Sequence, residues 1–348
     1  YNTAIGYKAL TSNTTAERNT AVGMNSLELN TTGAYNTALG QGSLTNNTTA
    51  SNNTGVGRGA LNATTTGASN TAIGYLALTA NTTGASNNAF GANALDANTT
   101  GNYNNAFGTG AMGATTTGQQ NVAIGEQSSR TGTTASFNTA VGPNSLYTNE
   151  TGQQNTAIGR AALFNYTGGY NTGIGDLALY SCTTGADNSA LGYNSLASNT
   201  TGASNTGIGN NALDANTTGG SNTGIGRNAL GANTTGSSNT AVGANALDAN
   251  TTGTNNVALG NSSLGANQTG LRNTALGDQA LANNTASNNT AIGSTAARDT
   301  TSGERNIAIG EAAFRVNTTG SNNVAIGQAA LIANTTASNN TGVGYQAL

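Results

Sequence analysis

A period of seventeen residues runs the length of the chain and decides what it can fold into. The segments Asn2-Thr3-Ala4-Ile5-Gly6, Asn19-Thr20-Ala21-Val22-Gly23 and Asn36-Thr37-Ala38-Leu39-Gly40 recur at that spacing, and their glycines continue to Gly344. Of the twenty steps between successive motif glycines, eighteen are seventeen residues and two are sixteen. The short steps fall near Asn165-Tyr166 and Asn283-Asn284. No step breaks the register, which predicts a single continuous array of twenty-one units over residues 1–348. The chain opens within a repeat at Tyr1 and stops within one at Leu348, as expected of a piece of a longer fibre.

Numbered from its Asn, the unit reads N-T-A-I-G-x-x-A-L-x-x-N-T-T-G-x-x. Gly, Asn and Thr are poor helix formers, and each unit carries two Gly-rich breaks, so helix is disfavoured. Short strands separated by Gly and Asn turns fit better, one unit forming one coil of an all-β parallel β-solenoid. At about 4.8 Å per coil, such an array would make a rod of roughly 100 Å. Disorder is the competing outcome for a chain with 50 Gly and 7% charged residues, but it needs a high net charge. Here the net charge is −3, and the period is strict.

Position 1 is Asn and position 5 is Gly in all twenty-one units. Stacked in register, Asn2, Asn19, Asn36 and their successors are expected to form an amide ladder, with Gly6, Gly23 and Gly40 taking a backbone shape other residues resist. Position 4 is always apolar and position 9 is Leu in seventeen units, so Ile5, Leu10, Val22, Leu27, Ile326 and Leu331 are read as core. Position 2, mostly Thr, shares a strand face with position 4 and is read as a third inward column. Position 3 would then face outward. Yet it is only Ala or Gly in every unit, as at Ala4, Ala21, Ala72, Ala123, Ala157 and Ala325. A methyl-sized limit on an outward column predicts a neighbouring chain pressed against it. A tight local bend is the alternative. Of 23 charged residues, 21 fall at positions 6, 7, 10, 16 or 17, confining the solvated surface to two arcs of the coil.

The units Asn121 to Gly125, Asn256 to Gly260, Asn306 to Gly310 and Asn322-Asn323-Val324-Ala325-Ile326-Gly327 resemble the N-S-V-A-I-G repeat of trimeric autotransporter adhesin heads of the YadA type. The N-T-A-I-G-Y-x-A-L pattern is also similar to repeats in phage tail fibres and bacterial surface fibres. The resemblance covers the whole chain. It implies a left-handed β-roll packed as a homotrimer, with Val324 and Ile326 inward and Ala325 toward the threefold axis. Two departures stand beside it: the unit is longer than that family's, by extra residues around Asn-Thr-Thr-Gly, and most units place Thr where the head places Val.

Candidate chemistry is sparse. With no His and one Cys, Cys182, the chain lacks a Ser-His or Cys-His constellation. Acidic residues such as Asp96, Asp214 and Asp248 do not recur in adjacent coils, so no carboxylate pair or cation cage is indicated. Catalytic residues, cofactors and metals are therefore not expected, and the chain is read as not an enzyme. Without a basic patch or a long apolar run, neither nucleic acid nor membrane insertion is expected of this segment. At positions 12 to 14, Asn-x-Thr recurs at Asn13, Asn30, Asn81, Asn98 and Asn216, and in varied form at Asn165-Tyr166-Thr167. It reads either as a glycan acceptor or as a structural Asn turn with a Thr column. Three functions follow: an extracellular structural or adhesive fibre segment on a cell or virion, presenting a tip to a host surface or carbohydrate; a self-assembling matrix filament; and an ice- or polysaccharide-binding module. The first is preferred, because ice binding needs a uniform outward Thr face.

Overall fold

The computed structural model describes residues 1–348 as a parallel β-solenoid of twenty-one coils, with no helix. Each coil contributes one three-residue strand at positions 2 to 4. The coils gather into two compact units, Tyr1–Asn171 and Thr172–Leu348, the boundary falling directly after the first sixteen-residue coil.

In the first unit, strands β1 (Thr3–Ile5) to β10 (Thr156–Ile158) are numbered in chain order, and each pairs in parallel with the next. The register places each position on its own copy, as in Thr3 on Thr20, Ala4 on Ala21 and Ile5 on Val22. In the second unit, β11 (Thr172–Ile174) to β21 (Thr341–Val343) repeat that arrangement. The remainder of each coil also bonds to its neighbours through the backbone. Leu27 N–H donates to the Ser43 carbonyl at 3.1 Å, and Thr31 N–H to the Thr48 carbonyl at 2.9 Å.

Two amide columns run through the interior. At position 1, Asn222 Nδ2 donates to the Gly236 carbonyl of its own coil at 2.8 Å, closing the loop. Its Oδ1 accepts from the backbone N–H of Asn239 in the next coil at 3.0 Å. Asn19 and Asn36 do the same, with Asn19 N–H donating to Asn2 Oδ1 at 2.8 Å. At position 12, the Asn233 amide donates to Asn216 Oδ1 at 2.8 Å and Asn250 to Asn233 at 2.7 Å. Leaving a buried polar group unpaired costs about 1–3 kcal/mol. Replacing Asn222 with Ala orphans the Asn239 N–H, while the Gly236 carbonyl keeps the bond from Asn233 Nδ2 at 3.0 Å. A loss of about 1–3 kcal/mol is expected, read as lost amide-exchange protection in the coils around position 222.

The strand faces are the reverse of the sequence-based expectation. Position 3 points inward: Ala21, Ala72, Ala123, Ala157 and Ala325 are fully buried within their own chain. Ala4 belongs to the first coil, which is covered on one side only, and is exposed. Position 4 points outward, so that Ile5 is 61% and Ile326 37% exposed, and Val22 is half-buried. The reason is space. A seventeen-residue coil is thin, and the Leu at position 9 fills it: Leu10, Leu27 and Leu331 are buried. A Cβ added at Gly224 would lie 3.2 Å from Cγ of Leu213 in the preceding coil and 3.0 Å from the Ala229 carbonyl oxygen. The methyl-sized limit at position 3 is therefore set by the chain's own leucines, not by a neighbouring chain.

The short coils lose their residue after position 12. Tyr166 N–H donates to the Leu163 carbonyl at 3.4 Å, the bond that Asn30 makes to Leu27 at 3.2 Å. Tyr166, not Asn165, thus occupies the interior place, and its hydroxyl donates to the Gly169 carbonyl at 2.6 Å. In the second short coil that place is filled by Asn284.

Candidate functional site: the outward strand face

Alternation along each three-residue strand puts positions 2 and 4 on the outside together. In each unit the outcome is a face of two parallel columns, an aliphatic one beside a mostly Thr one. Neither column holds a charged residue in any coil. Ile73, Ile124, Leu191, Ile208, Leu259 and Leu276 are all exposed, with Val257 and Ile307 exposed in the position-2 column. Scattered exposed apolar residues are ordinary, but a contiguous stripe marks a surface built for contact. Ten or eleven strands at about 4.8 Å give each unit a stripe about 45 to 50 Å long.

One segment of the face differs. In β6 (Asn88–Phe90) and β7 (Asn105–Phe107), Asn replaces Thr and Phe replaces the aliphatic residue. The two rings stack, centroids 4.7 Å apart and planes within 8°. Beside them Asn88 Nδ2 donates to Asn105 Oδ1 at 2.8 Å.

Polar and charged groups lie elsewhere on the coil. Lys8 pairs with Glu28 at 3.0 Å and Arg298 with Asp299 at 2.9 Å, and Arg298 holds the Asp299 carboxyl below the ordinary value. Arg58 and Tyr75 sit in a groove of about 390 Å³ on the outer arc, with the guanidinium 5.7 Å from the ring centre. No three His, Cys, Asp or Glu residues lie close enough to hold a metal ion, and no helix is long and apolar enough to cross a membrane.

Burial pushes the Asp214 and Asp248 carboxyls above the ordinary Asp value. It does the same to Asp96, against an opposing pull from Arg130. A carboxyl with a raised value in the folded chain binds more protons there than when unfolded, just above the ordinary Asp pKa. Stability contributed by such a group rises as the pH falls through that window. Melts stepped from about pH 7 to about pH 4 are expected to favour the parent chain increasingly over Asp214→Asn, as its penalty for ionised Asp214 is relieved. A parent-minus-variant difference in Tm that stays flat over the series would refute this.

Cys182 takes a position-12 place. Its thiol donates to the Gly185 carbonyl at 3.4 Å, and burial pushes it up to about 11. Asn30, Asn81, Asn98 and Asn216 are fully buried, and each amide donates to the carbonyl three residues on, as Asn216 does to Gly219 at 2.9 Å. Asn13, half-buried, makes the same bond to Ala16 at 3.1 Å. The geometry therefore favours the structural reading of Asn-x-Thr. Mass spectrometry of native material is expected to find Asn81, Asn98 and Asn216 unmodified.

Sequence reasoning placed the Asn, Gly and Leu columns but overlooked the outward face. The signal lay in the pairing of an always-small position 3 with a single large Leu per coil. Together these fill the section and leave no room for position 4. No protein-family model matches the chain, and no curated protein matches its sequence.

Proposed function

We propose that this chain is a segment of an extracellular structural or adhesive fibre, a homotrimer of left-handed β-rolls that holds a binding tip away from a cell or virion. The observation that carries this reading is the uncharged apolar stripe on the outward strand face. A surface that repeats at the coil pitch is matched along its whole length only by another surface of the same pitch. A second copy of the chain supplies one. Each unit's stripe, about 45 Å long, offers a few hundred Å² to a partner, on the scale of the roughly 800 Å² per partner of a standard interface. The resemblance to trimeric adhesin heads supports three copies. It now does so through the isoleucine column, since the alanines are occupied within their own chain. Adhesion itself would belong to loops or to other parts of the fibre.

Mass photometry of this chain tests the reading. A species of three times its 34.1 kDa is expected. A folded chain that stays monomeric at micromolar concentration would end it.

The position-2 column favours one second reading, in which the regular outward Thr residues beside aliphatic ones order water and bind ice. A monomer that shapes ice crystals, and loses that ability when Thr206, Thr223 and Thr240 become Lys, would support it over the fibre.

A further inference from the structure

Lateral packing of identical repeats has an inherent fault. Coils of one pitch fit equally well after sliding by one coil, about 4.8 Å. Uniform strand faces specify register weakly. A fibre of identical chains needs some coil that matches only itself.

We infer that β6 and β7 are that register key: Phe90, Phe107, Asn88 and Asn105 align copies of this chain coil for coil. This rests on the self-association proposed above. Nowhere else does either strand column carry an aromatic residue or an Asn. Both changes occur in the same two adjacent coils, in the outward columns, with the rings stacked at 4.7 Å and the amides bonded at 2.8 Å. The ring pair fixes where bulk lies along the stripe. When copies are in register, bulk meets bulk at the same level. Sliding by one coil leaves one ring in each chain against an aliphatic residue, and sliding by two or more displaces both. The amides add a polar term. Their mutual bond leaves Asn88 Oδ1 as an acceptor and Asn105 Nδ2 as a donor, with no partner inside the chain. Covered by a neighbour, those atoms need partners. In an aligned copy each amide meets its own counterpart, whose second N–H and second oxygen lone pair can satisfy it, and sliding by two coils or more removes both amides from one another. A buried Asn that fixes register at some cost in stability is a known device in helical assemblies.

The test uses the full chain with Cys182→Asn, which restores the commonest residue at that place, and a spin label on Gln41→Cys in the third coil. Distances between labels are measured by pulsed electron resonance, and stoichiometry by mass photometry. The parent is expected to give one narrow interchain distance. The variant N88T/F90I/N105T/F107I carries only residues found at these positions in other coils. It is expected to keep its stoichiometry while the single distance gives way to several, longer by the effects of one-coil steps. A variant that keeps the one narrow distance overturns the register key. So does a variant that falls apart, because the four residues would then drive association rather than align it. A parent that is itself monomeric overturns the underlying self-association instead. Should the fourfold variant fail to fold, F107I alone is read in the same way, with a partial loss of the aligned population expected.

Discussion

Gly226→Ala is expected to open the stack at that coil. The residue has φ of +132°, where side chains are rarely tolerated, and an added Cβ would lie 2.5 Å from the Gly243 carbonyl oxygen of the next coil. Backbone strain of this kind costs about 1–3 kcal/mol, and overpacking adds about 1–3 kcal/mol more. The obstacle is a backbone carbonyl that accepts from the Ala246 N–H in the turn of its own coil at 3.4 Å, so a side-chain rotation cannot relieve it. Stability in a repeat array is a sum of units and their interfaces, so the damage should be local. Hydrogen exchange is expected to show deprotection centred on the coils holding Gly226 and Gly243, with distant coils in the same unit unchanged. Uniform protection in the variant would mean that the coils can separate without loss, and the stacking account would fail.

The triple variant I208K/I225K/V242K is expected to remain folded and lose self-association. All three side chains stand on the outward face, with Ile208 37% exposed and the other two half-buried. Free in water, lysines there cost the solenoid little, since their stems can lie along the surface and the charges stay hydrated. Packed against another copy, three desolvated like charges per chain would cost several kcal/mol. Circular dichroism should therefore stay near the parent while mass photometry shows the mass of one chain. The contrasting variant is Ala241→Leu, one residue from Val242 but inward and fully buried. It should damage the fold, because Leu at position 9 already fills the coil. If instead the lysine variant assembled normally and A241L lost assembly while folded, the inverted arrangement first suggested by the sequence would be restored.

The sequence made much of this readable. Invariant Asn19 and Asn36 read as a ladder, invariant Gly23 as a constrained turn, and Leu27 as core, and each is found there. The faces were harder. Alternation says that Thr20 and Val22 lie together and Ala21 opposite, but not which side is inside. The expectation that aliphatic residues are buried fails here, because one large side chain at position 9 and a methyl at position 3 already fill that part of so thin a coil. Tyr166 was misread for a different reason. An Asn-x-Thr triplet survives at Asn165, but the deletion in that coil comes after position 12, and only the Tyr166-to-Leu163 bond reveals it. The Phe90 and Phe107 pair was visible as letters. Its meaning depends on knowing that position 4 faces out.

Most coils carry non-glycine residues in the left-handed region at positions 7, 9 and 17, as at Asn25, Leu27 and Tyr35, with φ of 59°, 49° and 61°. Each such residue costs about 1–2 kcal/mol, and the bonds that offset it come from the coils above and below. A newly made turn of chain standing alone is thus uphill, while one laid onto an existing turn finds its bonding partners waiting. Growth by templated addition follows, with a slow seed and fast extension. Peptides of one or two repeats should stay unstructured, and helicity-free order should appear abruptly once a few repeats are joined.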